Sequence, residues 1–249
     1  MSAKNILLLT STIAPKAGAH ALARTSPDER LADYLCSVDF YFPLVGAGVF
    51  DEAVYIDNSG YDLSPIIEKA EHHGVRDRTE FVSYVSELEP AYSRYFLEAN
   101  LLLDGFERSS VLANAGAAAL WKVTGRYVIE NIDAIVRKQP AAFDIYFNMR
   151  NLPDKVVDFF LVGARAPAFR QLLTTDLEDY RTKNDGEIIL RNKVDAGVFD
   201  SLHIVPRLTV TPRLTGVRGF DGAAYHSARH VLKHHVRGVA NRIAPWLWI

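Results

Sequence analysis

The 249-residue sequence predicts an α/β fold: a mostly parallel central sheet with helices on both faces and a helical extension at the C-terminal end. Three observations carry that prediction. Short apolar runs alternate with helical segments through the first 125 or so residues, the order that builds parallel sheets. The runs are continuous rather than alternating, as expected for strands buried on both faces. Most of them exit into small polar residues or glycine, which punctuate strand ends.

The elements follow in order. Asn5 to Thr10 reads as a first strand, ended by Thr10-Ser11-Thr12-Ile13. Asp28 to Phe42 reads as a helix, since Leu31, Tyr34, Leu35 and Val38 recur at helical spacing behind a Ser26-Pro27 start signal. Glu52 to Ile56 is a second strand, running into the turn residues Asp57-Asn58-Ser59-Gly60. Leu63 to His73 is a helix with Pro65 near its start and Gly74 just past its end. Glu80 to Val85 is a third strand, and Pro90 to Glu107 a long helix with Tyr92, Phe96, Ala99, Leu103 and Phe106 along one side. Ala117 to Val123 is a fourth apolar run. Beyond it, Ile129 to Lys138 reads as helix, Phe143 to Asn148 and Val156 to Val162 as strands, and Pro167 to Leu173 and Ile188 to Val198 as helices. Leu202 to Val210 fits a last strand. The chain is therefore expected to form one α/β domain over residues 1–220, followed by a basic amphipathic helix and aromatic tail over 221–249.

Composition narrows the function. Hydrophobic residues make up 49% and charged residues 23%, ordinary for a globular chain. A formal net charge of -2 gives no basic field for nucleic acid. A single cysteine, Cys36, excludes an intramolecular disulfide and a cysteine-based zinc cluster, and is expected as a small core residue. No window approaches the ~20 apolar residues of a membrane span. The expectation is a cytoplasmic protein. The segment from His203 to Ile249 is locally basic, with Asp221 its lone acid. Its predicted helix, Ala223 to Arg242, and terminal Trp246 and Trp248 are compatible with a peripheral position at the inner face of a membrane, and equally with an oligomer contact or a core-docking tail.

Parallel sheets hold ligands outside the carboxyl ends of their strands, so the loops there are the candidates for chemistry. Thr10, Ser11 and Thr12 offer hydroxyls at the first; Asp57, Asn58 and Ser59 offer a carboxylate, an amide and a hydroxyl at the second. Neither a GxGxxG nor a GxxxxGK[ST] loop follows the first strand, which argues against a dinucleotide dehydrogenase or a P-loop enzyme. Lys122, Thr124, Gly125 and Arg126 close the fourth run: two cations suited to phosphate oxygens, beside a glycine that lets a ligand approach the backbone. Strict Asp-x-Asp is absent. A divalent cation, Mg²⁺ or Mn²⁺, therefore stays open as a cofactor, with Lys122 and Arg126 as the alternative neutralisers of a diphosphate. A general base for an acceptor hydroxyl is expected to be a carboxylate, Glu187 or Asp144. His226, His230 and His234 share a helix face.

On these residues the chain resembles bacterial glycosyltransferases of the GT-A type, with a Rossmann-like sheet, used in surface-polysaccharide assembly. Thr10 to Ile13 resembles their nucleotide-binding opening, and Tyr55 to Gly60 their second strand and loop. Tyr92 to Phe106, carrying Glu98-Ala99, resembles the helix before the metal-binding strand. Lys122 to Tyr127 stands where Asp-x-Asp would be expected. Glu187 lies where such enzymes often place the base, and His226 where a late histidine contacts diphosphate or metal. The resemblance implies transfer of a sugar from a nucleotide sugar to a glycan or lipid-linked acceptor. A different nucleotide-dependent transferase, such as a nucleotidyltransferase or methyltransferase, is the competing reading. A non-catalytic nucleotide- or glycan-binding domain is another.

Overall fold

Continuous apolar runs are released from water only when both faces are covered, and the observed architecture does that. The structure is a computed structural model and describes residues 4–19, 23–183, 185–216 and 243. The segment predicted as a basic helix, the boundary at residue 221 and His226 lie outside the described residues.

In chain order the strands are β1 (Asn5–Ser11), β2 (Glu52–Asp57), β3 (Thr79–Ser83), β4 (Ala119–Thr124), β5 (Val128–Ile129), β6 (Ile145–Arg150), β7 (Val156–Arg165), β8 (Ile204–Val205) and β9 (Leu214–Thr215). The helices are α1 (Pro27–Gly46), α2 (Ser64–His72), α3 (Arg94–Arg108), α4 (Ser110–Ala113), α5 (Ile132–Arg137), α6 (Ala166–Thr174) and α7 (Gly186–Asp195). Seven strands form the main sheet in the order β3-β2-β1-β4-β7-β6-β8. β1 pairs in parallel with β2 and β4, β2 with β3, and β6 with β8, while β7 is antiparallel to both its neighbours. One strand is thus reversed in an otherwise parallel sheet. β5 and β9 form a separate two-stranded ribbon.

Strand side chains alternate between faces, and the two hydrophobic clusters follow that alternation. Ile6, Leu8, Val54, Ile56 and Leu120 pack with α3, α6 and α7 on one face. Leu7, Leu9, Tyr55, Trp121 and Val123 pack with α1, α2 and α5 on the other. Each fully buried large apolar side chain contributes about 1.5–3 kcal/mol, so this two-sided burial outweighs weaker local preferences.

Local departures from the sequence reading have local causes. α1 runs from Pro27 through Pro43 to Gly46, four residues beyond the expected end at Phe42. α3 begins at Arg94 rather than near Pro90, because the Ser93 hydroxyl accepts from Phe96 N at 3.1 Å and caps the helix there. The expected last strand shortens to Ile204–Val205. Cys36 is exposed on α1, not a core residue: it falls on the side of the helix turned from the sheet. Among the described residues, no helix is long and apolar enough to cross a membrane.

Candidate functional site

The parallel strands β1, β2 and β4 end together, so Thr10, Asp57 and Thr124 share one rim of the sheet. Two loops there are locked to each other. Asp57 is fully buried. Its Oδ2 accepts from Ser11 Oγ at 2.8 Å and Ile13 N at 2.9 Å; its Oδ1 accepts from Ser59 N at 2.8 Å and Ser59 Oγ at 2.6 Å. A carboxylate has about four acceptor sites, and these donors fill them. The expectation that Asp57 holds a nucleoside is therefore corrected: it is a latch between the first two strand exits. Ser11 and Ser59 are consumed in the same latch, and Ser59 Oγ also accepts from Ala14 N at 3.1 Å. Thr12 Oγ1 donates to Asn58 Oδ1 at 2.6 Å, leaving the Asn58 NH₂ group without a hydrogen bond among the described residues.

Gly125 closes the third exit. Its N–H donates to Thr10 O at 3.0 Å, and a Cβ placed on it would lie 2.5 Å from that same oxygen. The glycine is needed for the approach of β4 to β1, rather than for a ligand. Tyr127 N then donates to Thr124 O at 2.9 Å, so Thr124 to Tyr127 forms a turn.

That turn separates the two cations that the sequence put together. Lys122 points to the α3 face and is completely buried. Its Nζ lies 2.6 Å from Glu98 Oε1, 2.6 Å from Phe159 O and 3.1 Å from Thr124 Oγ1. An ammonium has three donors, so none remains for phosphate, and the expected role of Lys122 as a phosphate contact is corrected. Burial lowers its pKa, opposed by Glu98 and Glu187. Thr124 Oγ1 and Thr10 Oγ1 also reach Glu98 Oε1, at 3.2 and 3.4 Å.

Arg126 turns the other way, toward α1. Arg30 is buried there, donating from Nε to Thr12 O at 2.6 Å and from Nη2 to Tyr34 OH at 3.3 Å. Asp33 lies beside Arg24, Arg30 and Arg126. Burial raises its pKa against the pull of these guanidinium groups. Arg24 Nε is 3.3 Å from Asp33 Oδ2, without the alignment of a hydrogen bond. Arg126 Nη1 is buried and has no hydrogen-bond partner among the described residues. An unpaired buried donor costs about 1–3 kcal/mol, so such an atom marks a place where a ligand acceptor would be stabilised.

Glu187 lies on the α3 side of the sheet, at the start of α7. Gly186 makes this position possible, since any Cβ there would collide with the Tyr95 ring of α3. Glu187 Oε1 accepts from Phe159 N at 3.0 Å. The side chain is deeply set yet keeps partial access to solvent. Desolvation and the nearby Asp158 push its pKa up to about 7, against the hydrogen bond from Phe159 N and the charges of Arg150 and Lys122. Asp158 itself is held by Asn148 Nδ2 and Arg150 Nε, both at 2.8 Å.

Asp144 is not part of this group. β6 runs parallel to β4, and Arg165, the partner of Ala119 at the start of β4, donates its N–H to Asp144 O. Asp144 therefore stands at the opposite rim, about 17 Å from the strand exits at ~3.3 Å per residue, with Oδ2 accepting from His203 N at 2.8 Å. Its expected role as a base is corrected by the strand direction.

Sequence reasoning missed Asp33, Arg24, Arg30 and Asp158, and gave Glu98 no role of its own. One signal was available: Glu98 follows Tyr95 by three residues and precedes Leu102 by four, which puts a carboxylate on the buried stripe of α3. Among the described residues, no group of three or more His, Cys, Asp or Glu side chains is placed to hold a metal ion.

No protein-family model matches the chain, and no curated protein matches it. Among solved structures, the chain is similar to a Desulfovibrio desulfuricans G20 protein assigned as a nucleotide-diphospho-sugar transferase. The TM-score is 0.45 and the identity 11%, over 97% of this chain and 98% of that one.

Proposed function

We propose that this protein transfers a sugar from a nucleotide sugar to an acceptor hydroxyl. A glycan or lipid-linked acceptor of surface-polysaccharide synthesis is the acceptor class that the sequence resemblance suggests. One observation carries the reading: at the carboxyl rim of parallel strands, Arg126 presents a buried guanidinium nitrogen with no partner among the described residues. A guanidinium in that setting suits the charge that develops on a departing phosphate. Arg24 and Arg30 add positive charge on the same side, and Asp33 is their internal counter-ion.

Glu187 supplies the second half of the chemistry. A carboxyl with a pKa of about 7 can take a proton from an acceptor hydroxyl near neutral pH. The hydrogen bond from Phe159 N fixes Oε1. Lys122 is not a substrate contact but a positioning residue, tying α3 to the ends of β4 and β7. Asn58 offers its free NH₂ group, and Thr10 and Thr12 line the rim where a nucleoside would lie.

Calorimetry with nucleoside mono- and diphosphates tests the reading. The wild type is expected to bind at least one of them, and Arg126→Ala to lose about tenfold or more in affinity, the size of one charge-assisted hydrogen bond. A variant that binds as tightly as the wild type removes Arg126 from the site. Stabilisation by S-adenosyl homocysteine alone would replace sugar transfer with methyl transfer.

A further inference from the structure

The α3 side of the rim carries a carboxylate that internal bonding leaves half used. Glu98 Oε1 takes Lys122 Nζ, Thr124 Oγ1 and Thr10 Oγ1, while Oε2 makes no hydrogen bond among the described residues. The side chain remains 26% exposed. Oε1 is therefore a mount, fixed from β1 and β4, and Oε2 is an acceptor held rigidly above the ends of those two strands.

The surroundings of Oε2 restrict what it can bind. A phosphate is repelled by the carboxylate itself. A metal cation is opposed by the Lys122 ammonium, fixed 2.6 Å from the other oxygen of the same group. Neutral hydroxyl groups remain: they donate to a carboxylate and carry no charge for Lys122 to repel. On the far side of the Gly125 turn, the preference reverses. Arg126, two residues after Thr124, offers a donor to an anion there. One rim thus has an anion-seeking side toward α1 and a hydroxyl-seeking side toward α3, with the Gly125 turn between them.

We infer that Glu98 binds hydroxyl groups of the transferred sugar through Oε2, and that the nucleotide sugar lies across the Gly125 turn with its phosphates toward Arg126. This inference rests on the sugar-transfer reading and specifies the orientation within that site. It places the sugar on the side of Glu187, so that the carboxyl of α7 faces the incoming acceptor.

Removing Glu98 alone would strand a buried ammonium and endanger the fold. The test therefore uses Glu98→Gln together with the double variant Glu98→Gln/Lys122→Met, which leaves no unpaired charge. Calorimetry compares UDP with UDP-glucose and UDP-N-acetylglucosamine, GDP with GDP-mannose, and CMP with CMP-N-acetylneuraminate. In the wild type, one conjugate is expected to bind more tightly than its bare nucleotide. In the double variant the bare nucleotide is expected to keep its affinity within about threefold, while the increment from the sugar falls about tenfold. The inference is overturned if the sugar increment survives intact, or if bare nucleotide and conjugate weaken equally. If the wild type binds no nucleotide at all, sugar transfer fails and this orientation falls with it. Binding that survives Arg126→Ala but keeps its sugar increment on Glu98 would remove the phosphate assignment alone.

Discussion

Replacing Glu187 with glutamine should stabilise the protein, and by an amount that grows with pH. The reason is the cost of ionising a deeply set carboxyl. In the folded protein Glu187 has a pKa of about 7, against an ordinary value of 4.5. Below pH 4.5 the group is protonated in both folded and unfolded chains and contributes no pH dependence. As pH rises, the unfolded chain ionises first while the folded chain stays protonated, so stability falls until the folded carboxyl also ionises near pH 7. The gap from 4.5 to about 7, at about 1.4 kcal/mol per pH unit, amounts to about 3 kcal/mol lost by pH 8. Glutamine cannot ionise, fills nearly the same volume, and keeps an oxygen to accept from Phe159 N. Its advantage should be close to nil at pH 4.5 and about 3 kcal/mol at pH 8.5, a figure already net of the attraction to Lys122 and Arg150. Urea unfolding of both proteins at pH 4.5, 6.5 and 8.5 measures this directly. A difference that is flat with pH, or a glutamine variant less stable at pH 8.5, refutes the account of Glu187 as a desolvated carboxyl. Its candidacy as a base near neutral pH would fall with it.

Two further outcomes follow from the rim geometry. Gly125→Ala should cost about 1–3 kcal/mol in urea unfolding, because the new methyl group must push Thr10 O away from a 2.5 Å approach and part β1 from β4. A cost below about 0.5 kcal/mol would show that the two strand ends separate freely. Asp144→Asn should leave nucleotide affinity and transfer rate within about twofold of wild type, because the residue stands at the opposite rim, about 17 Å away. A loss of tenfold or more in either measurement would bring Asp144 back into the site.

How much of this was legible in the chain depends on how far each signal reaches. The apolar runs at Asn5 to Thr10, Glu52 to Ile56 and Ala117 to Val123, with helices between them, specified a parallel sheet covered on both faces. Burial on both faces is a property of consecutive residues, and it survives in any arrangement that satisfies it. That the first, second and fourth strands end together at one rim was equally legible, since strand direction follows from the alternation of strand and helix. The roles of individual side chains were not. Lys122 and Arg126 are four residues apart, and strand periodicity puts both on one face. The turn at Gly125 sends them to opposite faces. Asp57 has the composition of a ligand-binding loop, but its four donors come partly from Ser11 and Ile13, more than 40 residues away. Asp144 ends up at the wrong rim because it precedes β6, which runs parallel to β4, a direction that only the pairing of β4, β7 and β6 reveals. Local periodicity therefore determined where strands and helices form. Which carboxylate or cation remains free for a ligand was decided by long-range hydrogen bonds, because a polar group acts on a ligand only with the bonding capacity that the rest of the fold leaves unused.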